Sequence, residues 1–138
     1  MIKKSEKITR VDASKECKEN YDSATLVSIT SEEEQQFVVN FRKEQGINAY
    51  TWLGGRKMGT WKWDDGSSYD YKNWHSAEEE LGNDGLCNYL HTNSKWHDAK
   101  CETNGWGIQN FVCKKNRKYH MNRSFVWMKT NMSLLRYS

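Results

Sequence analysis

Four carboxylates crowd into one short stretch, Glu78, Glu79, Glu80 and Asp84, and a second pair of polar groups, His97 and Asp98, follows within an alternating segment. Carboxylates this close repel one another. A shared divalent cation would relieve that repulsion, since Ca²⁺ accepts roughly six to eight oxygen ligands in irregular geometry. On composition alone the same residues suit a solvated acidic loop better, and His97-Asp98 suits a strand with Asp98 bonded locally. Trp106 lies between Gly105 and Gly107. That context favours a ring exposed on a loop, able to stack on a sugar or a protein partner, over a core position. His75 and His91 have no spacing that pairs them with a partner.

Catalysis is a poor fit to these residues. Two carboxylates cleave a glycosidic bond when they face each other about 5–10 Å apart across it. Glu78 and Glu80 sit on one loop instead. No Ser-His-Asp or Cys-His arrangement is apparent once the four thiols are committed elsewhere, and the expectation is a protein that is not an enzyme.

The cysteines are Cys17, Cys87, Cys101 and Cys113. No two are separated by the two to four residues usual within a zinc site, so an even number at wide spacing reads as two disulfides in an oxidising compartment. Spacing leaves all three pairings open. Met1 is followed by Ile2-Lys3-Lys4 rather than by an apolar signal core, and no window reaches the ~18 apolar residues of a membrane span. The disulfides favour a secreted or extracellular protein whose signal peptide is not in this chain.

The elements that must hold these groups are short. Thr9, three residues before Asp12, opens a helix over about 10–20 with Ala13, Cys17 and Tyr21 on one face. An edge strand over 2–8 precedes it. A strand over 24–29 follows, with Leu26 and Ile29 inward. Ser31, with Glu34 three residues on, opens a second helix whose apolar face is Phe37, Val38 and Phe41, and Gly46 is placed to end it. Strands are expected at 50–55, 61–63, 86–91, 95–99 and 110–114, with a turn at 64–67 and an aperiodic loop over 73–85. Six of the seven tryptophans lie between Trp52 and Cys113, and rings of roughly 150–250 Å² each must be buried to pin such irregular structure. Trp52, Trp63, Trp74 and Trp96 read as core.

With 36% hydrophobic residues, mean hydropathy −1.00 and no proline, the chain is polar for a single domain of 138 residues. Its formal charge of +3 averages two unlike parts. Residues 1–113 carry 14 Lys/Arg against 18 Asp/Glu, a net −4, whereas residues 114–138 carry seven Lys/Arg and no acid. The basic residues of the body are scattered rather than striped, which argues against nucleic acid as a partner. A membrane partner is equally disfavoured. Residues 116–138 read as a disordered basic extension, with sequons at Asn122-Arg123-Ser124 and Asn131-Met132-Ser133.

Taken in order, WLGG at 52–55, WKWDDGSSYDYKNW at 61–74, KWHDAKC at 95–101 and NFVC at 110–113 resemble the characteristic segments of a C-type lectin-like domain, in the style of invertebrate members. The two helices and LVSI at 26–29 agree. The resemblance covers residues 2 to about 115, giving a domain over 1–115, and implies an α+β, C-type lectin-like fold: two helices and small antiparallel sheets with a long loop region. It also implies disulfides Cys17–Cys113 and Cys87–Cys101. Carbohydrate binding follows as the expected function, with a glycan or glycoprotein as ligand and oligomerisation possible to multiply weak sites. Roles in innate immunity or host contact are an analogy at the level of the family.

In that family a calcium ion, held by oxygens from the long loop and from the strand matched here by KWHDAKC, carries two sugar hydroxyls. The resemblance places metal ligands at Glu78, Glu80 and Asp98, and ligand contacts at Glu78, Glu80, His97, Asp98 and Trp106. The chain departs from the pattern at three positions. Glu79 replaces a proline that is usually cis, and a cis bond here would cost about 2.5–4 kcal/mol, so a trans peptide and a different loop shape are expected. Gly85 stands where an acid is expected. His97 offers an imidazole where a hard ion needs oxygen. The site therefore reads as degenerate, calcium as an uncertain cofactor, and a calcium-independent protein-interaction domain as the alternative.

Overall fold

The computed structural model describes residues 7–76, 86–102, 107–116, 124–128 and 135–137. Helix α1, Arg10–Asn20, starts where Thr9 Oγ1 accepts the backbone N–H of Asp12 at 3.2 Å, and it buries Arg10, Ala13 and Cys17. Helix α2, Glu32–Glu44, is capped by Ser31 Oγ, which accepts from Glu34 N at 3.1 Å. The Glu34 carboxylate reaches back to the N–H of Thr30 at 3.1 Å, so two donors at the open end of the helix are satisfied by side chains. Beyond the last turn Gly46 takes φ +69°, a left-handed conformation that suits glycine.

The strands are β1 (Thr25–Leu26), β2 (Thr51–Met58), β3 (Thr60–Trp63), β4 (Leu86–Leu90), β5 (Trp96–Lys100), β6 (Asn110–Asn116), β7 (Ser124–Met128) and β8 (Leu135–Tyr137). Their order in the sheet is β5-β4-β2-β6-β7-β8, with β1 on β6 and β3 on β2. All pairings are antiparallel except β2 with β6, where Thr51 lies beside Asn110 and Trp52 beside Phe111 in parallel. The expected strand over 24–29 contracts to two paired residues, though Leu26 and Ile29 are both fully buried. Of the strand expected over 2–8, residues 2–6 lie outside the described residues; Ile8 N–H donates to Ile108 O at 3.0 Å.

The central strands are buried on both faces, and their alternation separates two cores. Trp52, Tyr89, Phe111 and Cys113 pack with Ala13 and Cys17 of α1, whereas Leu53, Leu90 and Val112 pack with Val38 and Phe41 of α2 and with Trp63 and Trp96. Two of the largest buried rings have a polar tether. Trp52 Nε1 donates to Ile8 O at 2.8 Å and Trp96 Nε1 to Gln35 Oε1 at 2.9 Å. Gly54 is required by close approach, because a Cβ there would lie 2.4 Å from Leu26 O.

The disulfides are Cys17–Cys113, joining α1 to β6, and Cys87–Cys101, joining β4 to the end of β5. By the chain-entropy model bridges closing loops of these lengths contribute about 4–5 and about 3 kcal/mol respectively. The extension past residue 115, expected to be disordered, differs from that reading in two segments. Ser124–Met128 pairs along β6 from Val112↔Met128 to Asn116↔Ser124, and Leu135–Tyr137 pairs with β7. The run SFVWM has strong strand propensity, which an average over a basic tail conceals.

Candidate functional site

Strand β5 alternates Trp96 and Ala99 into the cores and leaves His97 and Asp98 half-buried. Register with β4 sets Tyr89 opposite His97 and Asn88 opposite Asp98. On the other side of β5, Trp96 bridges Trp74, with His75 N donating to Trp96 O at 3.0 Å and Trp96 N to Asn73 O at 2.9 Å. That bridge carries His75 alongside His97. After β4 the chain turns through His91–Lys95, closed by His91 N to Lys95 O at 3.0 Å.

The outcome is a continuous row of rings. Tyr50 to His91 is 4.5 Å between centroids, His91 to His97 is 4.5 Å and His97 to His75 is 4.8 Å, with interplanar angles of 33°, 28° and 12°. Tyr89 packs beneath it, 5.3 Å from Tyr50 and 5.7 Å from His97. Stacked rings cover one another's faces and turn their edges outward, so this row offers N–H, ring nitrogen and hydroxyl groups to solvent. His91 Nδ1 accepts the N–H of Asn93 at 3.2 Å, which leaves the proton of the neutral ring on Nε2. Burial lowers the His97 pKa, the charge of His75 lowers it further, and Asp98 opposes both; His97 is neutral at physiological pH.

A buried cation sets the backbone under the row. Arg42, 4% exposed, donates through Nη1 to Ala49 O and Leu90 O, each at 3.1 Å, and through Nη2 to His91 O at 2.7 Å. Desolvation lowers it to about 10, so it keeps its charge at neutral pH. Beside the turn run two hollows of about 310 Å³ each that share Asn48 and Thr92. One reaches Arg42, Lys43 and Ile47 at the end of α2, and the other reaches Tyr50, Gly107 and Gln109.

Of the expected ligand set, His97 and Asp98 are adjacent here, while Glu78, Glu80 and Trp106, with Glu79 and Asp84, lie outside the described residues. Among the described residues no group of three or more His, Cys, Asp or Glu is arranged to hold a metal ion. The imidazoles meet face to face rather than converging their nitrogens on a point. His75 and His91, for which the sequence gives no partner, belong to the row. Their signal is strand register, since 89 and 91 share a parity and 97 lies across from 89.

Comparisons with known proteins agree with this architecture. Residues 6–115 match the model of the Lectin C-type domain family. The chain is 34% identical over 116 residues to mouse Lithostathine-1, covering 79% of this chain and 67% of that protein. Across the lithostathines it matches, the chain spans 57–67% of their length. The structure of human lithostathine superposes with a TM-score of 0.67 at 33% identity, covering 79% of this chain and 85% of that one. The cow C-type carbohydrate-recognition domain of CD23, solved in the presence of a GlcNAc2Man3 oligosaccharide, gives 0.64 at 27%, covering 79% and 81%.

Proposed function

This chain belongs to the C-type lectin domain family, and from that premise we propose that it binds carbohydrate on the β4–β5 face, through the ring row and Asp98. The observation that supports this reading most is the position of His97 and Asp98. They lie half-exposed on the strand that resembles the family's sugar-contacting strand, flanked by ring edges that donate and accept hydrogen bonds. The His97 imidazole and the Asp98 carboxylate suit vicinal hydroxyls, which both donate and accept. Recognition is non-catalytic. The two disulfides suit an extracellular protein, and no described helix is long and apolar enough to cross a membrane. Weak single sites of this kind gain from oligomerisation or polyvalent glycan.

Calcium, where bound, would be held by Glu78, Glu80 and Asp98 and would supply coordination for sugar hydroxyls. The described donors do not fit a hard cation by themselves: they comprise one carboxylate among imidazoles. That donor set favours a second reading, in which the same face binds its ligand without calcium.

A glycan array probed with the disulfide-intact chain, once with millimolar Ca²⁺ and once with excess chelator, tests both. Glycan binding that His97→Ala removes supports the proposed face, and its survival in chelator selects the calcium-independent form. Absence of any glycan signal in both conditions overturns the carbohydrate reading.

A further inference from the structure

Away from the ring row, a cleft of about 420 Å³ opens between α1 and Arg56 of β2, lined also by Arg10, Val11, Ser14, Lys15, Lys18 and Glu19. The helix sorts its charges to make it. Arg10, Ser14 and Lys18 fall at four-residue steps, with Val11 and Lys15 beside them, whereas Asp12 and Glu16 fall on a different stripe. Four cations therefore meet one acid, Glu19, on a body whose net charge is negative.

Two further features are costly without a ligand. Arg56 lies directly opposite Lys62 in the β2–β3 hairpin, and like charges so placed destabilise a strand pair. Both are exposed, and neither has an ion-pair partner among the described residues. Arg10 is 6% exposed; Asp64 takes its Nη2 at 2.6 Å, while its buried Nε has no hydrogen-bond partner. An incoming anion would complete Arg10, screen Arg56 from Lys62 and bring Lys15 and Lys18 into use.

We propose that this cleft binds the sulfate groups of an acidic polysaccharide. Four cations line one small cleft, which suits one or two anionic sugar residues better than a duplex or a bilayer. Val11, 66% exposed at the lip, offers an apolar contact for the C–H face of a sugar ring. The site is independent of the ring row and goes beyond the function proposed above.

The full, disulfide-intact chain is applied to immobilised dextran sulfate and to uncharged dextran, and affinities are measured at several salt concentrations. Arg56→Gln with Lys62→Gln weakens binding to dextran sulfate at least about tenfold, the size expected for losing charged hydrogen bonds. Lys43→Gln with Lys72→Gln, an equal change of charge elsewhere, leaves it within about twofold, small on the scale on which tenfold is ~1.4 kcal/mol. Lys15→Gln with Lys18→Gln on the exposed helix face reproduces the loss in a second variant. Equal weakening by all three pairs, or no retention of the unmodified chain on dextran sulfate, overturns the proposal. Equal or tighter binding to duplex DNA or to phosphatidylserine vesicles also overturns it, assigning the cleft to a different polyanion. Binding of neutral glycans on the array is unchanged in the cleft variants, so failure of this site and failure of the ring-row reading are told apart.

Discussion

Two polar regions of this molecule use charge in opposite ways. On the α2 side, Lys114 Nζ is enclosed with Glu34 and Ser28: it donates to both Glu34 carboxylate oxygens at 2.9 and 3.0 Å, to Ser28 Oγ at 2.9 Å and to Ser28 O at 3.2 Å. Ser28 Oγ in turn donates to Asp65 Oδ2 at 2.5 Å, and Asp65 Oδ1 accepts the N–H of Ser67 at 2.8 Å. Lys114, Glu34 and Ser28 are 4%, 5% and 0% exposed. On the β4–β5 face Tyr50, His91, His97 and Asp98 are half-exposed and His75 is exposed, and the ring faces are spent on one another. The closed network joins β6, the start of α2 and the turn after β3, and so fixes the frame. The open row is the face proposed to meet a ligand.

Removing a partner from the closed network should have the largest effect. Lys114→Met leaves the Glu34 carboxylate buried without its cation, and unfolding in denaturant should show a loss of about 3–5 kcal/mol. A loss under ~1 kcal/mol would mean that the pair relaxes to water and that the contrast with the ring row is superficial. Replacing Glu34 by Gln in the same chain should recover part of the loss, since the buried charge goes with it.

Asp65 carries the next effect. Burial alone would raise its pKa, but hydrogen bonds from Ser28 and Ser67 and the charge of Lys114 outweigh burial and hold it below the usual carboxylate range. A carboxyl with a depressed folded pKa contributes stability that is complete above its unfolded value of about 4 and is lost as pH falls through the folded value. Stability should therefore decline on acidification below about pH 4. Asp65→Asn should cost about 1–3 kcal/mol at neutral pH and flatten that acid limb, as read from denaturation at stepped pH. An acid limb unchanged by the substitution would place the titration elsewhere.

His97→Ala should reverse the pattern. A half-exposed ring stacked between His91 and His75 contributes less than ~1 kcal/mol to folding, while glycan affinity should drop about tenfold through lost hydrogen bonds. Equal losses of stability and affinity would make the row a structural device like the Lys114 network.

The sequence made the frame legible where the rule is local. Thr9 with Asp12 and Ser31 with Glu34 mark both helix starts, and Tyr50-Thr51-Trp52-Leu53-Gly54-Gly55 reads as a strand. Cysteine spacing excluded zinc motifs but could not select a pairing; that came from resemblance. What stayed hidden depends on register and burial across the chain. Lys114 counts in the sequence as the first residue of a basic tail, and only the packing of β6 against Ser28 and α2 turns it into an interior cation. The ring row needs His75, His91 and His97 brought together by the Trp74–Trp96 bridge and the β4–β5 pairing, and no short spacing announces either.

The smallest expected effect is that of calcium on folding, and it tests the open region most sharply. A ligand that binds only the native state adds RT ln(1 + [L]/Kd), about 2.7 kcal/mol at a hundredfold excess over Kd. A hard cation beside Asp98 meets imidazole nitrogen at His97, with His75 and His91 filling the space on either side. The unmodified chain should therefore gain less than ~1 kcal/mol from millimolar Ca²⁺ in a thermal unfolding experiment. His97→Asp exchanges that nitrogen for oxygen and adds a charge next to Asp98, so its calcium-dependent gain should exceed that of the unmodified chain. Glu78→Gln with Glu80→Gln should abolish the gain in both backgrounds if the acidic loop supplies the remaining oxygens. A large calcium response in the unmodified chain, insensitive to His97→Asp, would mean that the ion sits apart from the ring row and that the two features of this face act separately.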